Sequence, residues 1–318
     1  MHPELTLVTG AAGFVGRHLC RHLCRHLAGQ EYDVRGSVRA GARERRDGID
    51  YMASGEIDET TDWRPLLEGV EAVVHAAGRV HVSRERAPDP RAAFRRVNAA
   101  GTARLARQAA EAGVRRFVYL SSIKAREVEQ KGVDAPGLDP YQISKYEGEL
   151  ALARAAEGSA METVVLRPPL VYGPGAAANF ALLARAVGAG WPLPLASIRN
   201  RRGFIYVGNL CDGIAACLTH ENAAGRVFEL SDGAPVSTPA FVRAIATALG
   251  RPARLVPCPP GLLRLGAAMI GRPATAERLI GDLVSDDRPI REALGWRAPV
   301  ALADAMAASV AEIEPNRR

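Results

Sequence analysis

The sequence predicts an α/β protein, a doubly wound parallel sheet with a smaller, interleaved C-terminal domain. Three observations lead there. Short apolar runs alternate with Ala-, Leu- and Arg-rich helical stretches from the start of the chain to about residue 167. Such alternation implies parallel strands covered by helices on both faces. The first run ends in a turn with glycines at 10, 13 and 16, followed directly by a helical stretch. After Pro168-Pro169 the alternation loosens and Pro and Gly become frequent.

The elements follow in order. Leu5–Thr9 is an apolar strand ending at Gly10, and residues 14–28 form a long helical stretch. Tyr32–Val38 reads as the second strand and Ala72–Ala76 as a later one. Residues 91–112 keep helical periodicity and stop at Gly113, a suitable C-terminal cap. Arg116–Ser121 is a strand, residues 141–157 a helix, and Thr163–Arg167 the strand before the proline pair. Beyond it lie strand pieces at Phe204–Val207 and Val227–Leu230, with a helix over Asp212–His220. The expected division is a dinucleotide-binding domain of residues 1–167, to which 203–220 return, and a substrate domain of 168–202 and 221–318.

Composition narrows the function classes. The chain has 318 residues, 47% hydrophobic and 24% charged, which suits a globular protein with a sizeable core and disfavours disorder. Its net charge is +6, and only Lys124, Lys131 and Lys145 are lysines. The arginines are spread through the helices and often lie near acids, so the excess gives no nucleic-acid stripe. The five cysteines are odd in number and scattered, which is no disulfide framework and points to a reducing, cytoplasmic setting. No signal peptide is expected, and the apolar stretch Gly261–Gly271 is too short to span a bilayer. Residues 17–27 repeat Arg-His-Leu-Cys. Histidines and cysteines two residues apart fall on different helix faces, so the repeat reads as a lengthened helix and no metal is expected.

Two motifs carry chemistry. In Thr9–Gly16, Gly10 allows the tight turn, Gly13 opens backbone N–H groups to a pyrophosphate, and Gly16 lets the helix approach the sheet. The second strand ends in Gly36-Ser37-Val38-Arg39 with no acid for a ribose hydroxyl. Arg39 could meet a 2′-phosphate, which favours NADP over NAD. In Tyr141-Gln142-Ile143-Ser144-Lys145, a spacing of four puts phenol and ammonium on one helix face. An ammonium there favours the phenolate and makes Tyr141 an acid–base group. Ser122, at a strand end, can hydrogen-bond the same oxygen.

Together these residues resemble the extended short-chain dehydrogenase/reductase family, in its nucleotide-sugar epimerase/dehydratase branch. The resemblance spans nearly the whole chain. It rests on Thr9–Gly16, His75–Gly78, Asn98 in Val97–Thr102, Ser121-Ser122, Tyr141 with Lys145, Arg167–Gly175 and Phe204–Gly213. It implies a Rossmann-type sheet with Gly10, Gly13, Phe14, Val15 and Gly16 around the pyrophosphate. Glu56 and Ile57 match the pair beside the adenine, Ala76, Ala77 and Gly78 line the cofactor channel with Asn98, and Pro168-Pro169 flank the nicotinamide. Ser122, Tyr141 and Lys145 would be catalytic, while Asn179 and Arg202 match positions that hold the nucleotide diphosphate. His75 reads as a packed strand-end residue.

Departures from the branch sharpen the expectation. Ile123-Lys124 stands where 4,6-dehydratases carry an acidic pair, and Val80 where galactose epimerases carry lysine. The interval from Ser122 to Tyr141 is short, and the first helix runs about one turn long. The resemblance therefore implies a 4-epimerase or 4-ketoreductase for UDP-linked, N-acetylated hexoses of surface polysaccharides, 6-deoxy sugars included. Such enzymes commonly pair as homodimers through two helices, here residues 91–112 and 141–157. The alternatives are an NADPH-dependent ketone reductase of the dihydroflavonol-reductase or hydroxysteroid-dehydrogenase kind, and a non-catalytic dinucleotide-binding scaffold.

Overall fold

The structure is a computed structural model that describes residues 5–26, 33–80, 87–176, 179–269, 271 and 273–311. The strands are β1 (Thr6–Thr9), β2 (Val34–Val38), β3 (Glu44–Arg46), β4 (Ile49–Ala53), β5 (Ala72–His75), β6 (Arg116–Leu120), β7 (Glu162–Arg167), β8 (Leu170–Tyr172), β9 (Phe204–Tyr206) and β10 (Arg226–Glu229). The helices of the first half are α1 (Phe14–His26), α2 (Arg64–Leu67), α3 (Pro90–Arg95), α4 (Gly101–Glu111), α5 (Ala125–Lys131) and α6 (Pro140–Ala156). Those of the second are α7 (Asn179–Gly188), α8 (Val207–Thr219), α9 (Thr238–Ala248), α10 (Pro260–Met269), α11 (Pro273–Ile280), α12 (Arg288–Leu294) and α13 (Leu302–Val310).

The chain forms two compact units. The first holds residues up to Pro168 with Cys211–Leu230 and Asp287–Trp296; the second holds Pro169–Leu210, Ser231–Asp286 and the chain from Arg297. The eight-stranded sheet of the first unit runs β10-β7-β6-β5-β1-β2-β4-β3 and is parallel except for β3. Thr6 faces Val34 of β2 and Ala72 of β5, so the strand order reverses at β1. Ligands bind outside the carboxyl ends of parallel strands at such a switch point. Strands β1, β5 and β6 are buried along their whole length, as expected where helices cover both faces. Their inward side chains, among them Leu7, Val73, Phe117 and Tyr119, join Trp63, Leu105 and Leu152 in one core.

Asp139 sets where α6 begins. Its carboxylate accepts from Gln142 N at 3.0 Å and Pro140 occupies the first turn, a cap that fixes the phase of Tyr141 and Lys145. The tetrad repeat lies along α1 as far as His26, its last residue Leu27 lying outside the described residues, and Leu19, Cys20 and Leu23 face the core. Residues 91–112 are not one helix: α3 and α4 are joined by a π-helical turn over Arg96–Ala100.

The expected boundaries need correction. Phe204–Tyr206 does not return to the large sheet but pairs with β8 in a two-stranded sheet of the second unit. Of the expected stretch 203–220, the part from Cys211 does belong to the first unit, and it is joined there by Arg226–Glu229, parallel to β7, and by residues 287–296. Strand pieces of similar length and polarity carry no mark of which sheet they join. The second unit has its own core, with Phe204 and Phe241 stacked at 3.9 Å and Tyr172, Phe180 and Met306 around them. Among the described residues no helix is long and apolar enough to cross a membrane.

Candidate active site

The carboxyl ends of β1, β5, β6 and β7 carry most of the residues expected to act. Gly10 follows β1 with φ +68°, a left-handed conformation that disfavours any side chain. A Cβ there would lie 2.9 Å from Ala77 Cα, and one on Gly16 would run into the Gly10 carbonyl. Gly13 N donates to Gly10 O at 2.8 Å, and the exposed Ala12 and Gly13 leave the N-terminus of α1 open. Only glycine lets the loop, β5 and α1 come this close. The turn thus fits a pyrophosphate at the N-terminus of a 13-residue helix. Phe14 and Val15 begin that helix half-buried.

Arg39 and Glu56 stand at the ends of β2 and β4 and form an exposed ion pair at 3.3 Å. Ile57 packs beneath Gly101 of α4, where a Cβ would come within 2.6 Å of its side chain. At the end of β5, Ala77 N donates to Thr9 Oγ1 at 3.1 Å. Gly78 is exposed, and a Cβ there would lie 3.0 Å from Asn98 Oδ1 and 3.5 Å from Lys145 Nζ. The backbone at Gly78 therefore passes directly over the Lys145 ammonium.

Ser122, Tyr141 and Lys145 come together as expected. Ser122 follows β6, with Ser121 N donating to Leu166 O at 2.8 Å and Ile123 N to Pro168 O at 3.0 Å. Its hydroxyl hydrogen-bonds the Tyr141 phenol. Lys145 is buried, with Nζ 4.5 Å from the centre of the Tyr119 ring. Phe94 meets Tyr141 edge-on at 6.1 Å and carries the Arg79 guanidinium on its face at 5.3 Å.

The electrostatics differ from the simple expectation. Burial pushes the Tyr141 phenol up, the bond from Ser122 pulls it back, and Asp139 adds to the rise. Burial also pulls the Lys145 ammonium down to about 7, against the attraction of Glu149 one turn along α6. Desolvation penalises either charge, so the phenol stays above its ordinary value despite the ammonium one turn away.

Asn98 sits in the π-helical turn, 1% exposed, with its amide fully engaged. Oδ1 accepts from Arg79 N at 2.8 Å; Nδ2 donates to Arg79 O at 2.9 Å and Ser144 Oγ at 3.0 Å. These bonds fix the Arg79 backbone beside Gly78 to α6. The Asn98 carbonyl accepts from Thr102 Oγ1 at 2.7 Å and from the Tyr119 hydroxyl at 3.3 Å.

His75 is a packed residue with a directed role. Thr102 Oγ1 donates to Asn98 O, so it must accept from His75 Nε2–H at 3.1 Å, and Thr9 Oγ1 must donate to Nδ1 at 2.7 Å. Burial, and then Lys145, push the imidazole down to about 3, which keeps it neutral. A chain of hydrogen bonds thus runs from the glycine turn to Asn98, a feature whose spacing of 66 and 27 residues hides it from the sequence.

Asn179 and Arg202 belong to the second unit. Asn179 is the first residue of α7, and its side chain lies outside the described residues. Arg202 bridges Val236 and Leu283 through its backbone, and Nη1 donates to Gly281 O at 2.9 Å. Pro168 and Pro169 are buried after β7. Among the described residues no group of three or more His, Cys, Asp or Glu side chains could hold a metal ion.

Comparison with known proteins agrees with this geometry. Residues 6–231 match the NAD dependent epimerase/dehydratase family. A UDP-glucose 4-epimerase of Vibrio cholerae is 39% identical over 309 residues, covering 94% of this chain and 92% of its own. A ceramide reductase of Caulobacter vibrioides is 34% identical over 276 residues, covering 82% and 75%. The fold matches the crystal structure of UDP-glucuronic acid 4-epimerase from Bacillus cereus in complex with NAD, with a TM-score of 0.73 at 20% identity, over 96% of this chain and 97% of that one. The family match over more than half the chain and the near-complete alignment to a relative lead to one conclusion: the protein is an enzyme of the NAD dependent epimerase/dehydratase family and works with a nicotinamide dinucleotide.

Proposed function

We propose that the protein is a nucleotide-sugar 4-epimerase acting on a UDP-linked hexose, with Ser122, Tyr141 and Lys145 as its catalytic residues. The observation that carries this is their convergence at the switch point, beside a glycine turn shaped for a pyrophosphate. A nicotinamide dinucleotide held by the turn at residues 10–16 would supply reversible hydride acceptance for C4 of the sugar. The protein's part is acid–base work. As the phenolate, Tyr141 takes the proton of the 4-hydroxyl as hydride leaves C4, and as the phenol it gives the proton back as the ketone is reduced. Ser122 donates to the same oxygen, and the Lys145 ammonium stabilises the phenolate. Arg202 and Asn179 are assigned to the diphosphate, and the subunits to a homodimer built on α4 and α6. The five cysteines, all unpaired, support a cytoplasmic setting.

The Arg39–Glu56 pair supports NAD as the cofactor, reversing the preference for NADP that rested on Arg39 alone. A 2′-phosphate brought to Arg39 meets the Glu56 carboxylate as well, like charge against like. A ribose hydroxyl finds a donor and an acceptor. The test of function is incubation with UDP-glucose, UDP-GlcNAc and UDP-4-keto-6-deoxy-GlcNAc, with and without reduced cofactor. Formation of a C4 epimer without added reductant is expected. Turnover of the keto sugar alone, using reductant, moves the assignment to a 4-ketoreductase, and turnover of none overturns it.

The ceramide reductase relative favours one second reading, a ketone reductase with a substrate lacking a nucleotide. UDP separates the two. A ligand that binds the folded state raises its melting temperature. UDP raises it for a nucleotide-sugar enzyme and leaves it unchanged for the other.

A further inference from the structure

We propose that Glu149 is a positioning residue for the reaction, a buried carboxylate that fixes the ends of β6 and β7 against the helix carrying Tyr141 and Lys145. The inference rests on the assignment of those two residues as catalytic. Glu149 is 7% exposed, Arg167 4% and Ser121 4%. Glu149 Oε1 accepts from Ser121 Oγ at 2.5 Å and from Arg167 Nε at 2.9 Å, while Oε2 accepts from Arg167 Nη2 at 2.5 Å. Arg167 Nη1 reaches on to Glu129 of α5 at 2.7 Å.

Each partner is the chain neighbour of a working residue. Ser121 precedes Ser122. Arg167 precedes Pro168, whose carbonyl accepts from Ile123 N at 3.0 Å. Glu149 lies one turn beyond Lys145 and two beyond Tyr141. One carboxylate thus ties together the three segments whose spacing sets the Ser122–Tyr141 hydrogen bond. Stability alone gives little reason to retain such a group. Desolvating a buried ion pair often cancels its attraction, and an apolar pair of the same volume packs as well or better.

The charge of Glu149 has a second use. Lys145 is faced by His75 from β5, Tyr119 from β6, and Tyr141 and Glu149 from its own helix, with Arg167 behind Glu149. His75 is neutral, and the two phenols carry no charge at neutral pH. Glu149 is therefore the anion in this set that keeps Lys145 protonated. Without it the ammonium is lost at lower pH, and the Tyr141 phenolate loses its cation.

The experiment uses the full chain labelled with ¹³Cε-lysine. Three lysines give three signals, and loss of one in Lys145→Met assigns it. Wild type, Glu149→Gln and Glu149→Asp are titrated by NMR, and the pH profile of kcat/KM is recorded for each. In Glu149→Gln the Lys145 signal should titrate about one pH unit below wild type, with the alkaline limb of kcat/KM moving by the same amount. In Glu149→Asp, which keeps the charge one methylene further away, both shifts should be smaller. An unmoved Lys145 signal in Glu149→Gln overturns the proposal, as does an unmoved alkaline limb beside a uniform loss of rate. If the Gln chain does not fold, an Asp chain with the wild-type titration overturns it equally. Tyr141→Phe separates the two claims: full activity there refutes the catalytic assignment and leaves the Lys145 titration unaffected.

Discussion

At Gly148, α6 lies directly against the π-helical turn, and alanine there should weaken the protein although it sits in mid-helix. On an exposed helix the change would stabilise by about 1 kcal/mol, because glycine is the poorer helix former. Here a Cβ would overlap the Asn98 carbonyl and the Tyr119 hydroxyl and lie 3.1 Å from Tyr119 Cζ. Neither obstacle yields cheaply. The first is backbone that already accepts from Thr102, and the second is a fully buried ring on a central strand. Overpacking of this kind costs about 1–3 kcal/mol, and the Tyr119–Asn98 hydrogen bond at 3.3 Å adds about 1 kcal/mol if it breaks. Set against the helix gain, the net loss is about 2 kcal/mol, or about 3 °C in melting temperature for a chain of 318 residues. Scanning calorimetry measures it, with Gly266→Ala as the control, since nothing lies within 4 Å of that mid-helix position. A shift of α6 also moves Tyr141 and Lys145, so kcat should fall by about tenfold or more. A Gly148→Ala chain that melts at or above wild type would refute the close approach on which the description of the site depends.

Other outcomes follow from the same structure. Kd for NADH should be lower than for NADPH, and Glu56→Gln should narrow the gap by removing the carboxylate beside Arg39; a wild-type preference for NADPH contradicts the reading of that pair. His75 has a folded pKa near 3 against an ordinary 6.5, so the unfolded chain takes up the proton first as pH falls. Its contribution to stability is complete above about 6.5 and is lost toward 3, at about 1.4 kcal/mol per pH unit. Urea titrations across that window should show a flatter dependence in His75→Gln, and parallel curves would contradict it. UDP should raise the melting temperature of wild type and do so less in Arg202→Ala, with equal shifts counting against Arg202 as a diphosphate ligand.

Residues that act through local spacing were legible in the sequence. The glycines of the first turn, the Tyr141–Lys145 interval and the serine after β6 each owe their placement to neighbours a few positions away, and the family resemblance drew them together. Buried strands such as Ala72–His75 announce themselves by continuous apolar runs. Edge structure does not: Glu44–Arg46 is wholly exposed and charged, so nothing marks it as a strand. The π-helical turn was hidden because one added residue barely disturbs the apolar periodicity of residues 91–112. Glu149 and Arg167 were hidden for the opposite reason. Charged side chains read as surface, and only the fold shows that residues 18 apart meet inside. The electrostatics of Tyr141 and Lys145 were misjudged on spacing alone, because the burial that raises one and lowers the other exists only in the folded chain.

The most direct measurement follows the C4 proton of UDP-glucose and UDP-GlcNAc by NMR during incubation with NAD, for wild type and Tyr141→Phe. Wild type should convert at least one sugar to its C4 epimer, and the Phe variant, folded and with an unchanged melting profile, should be slower by about 10²-fold or more. Conversion by Tyr141→Phe at the wild-type rate would contradict the account.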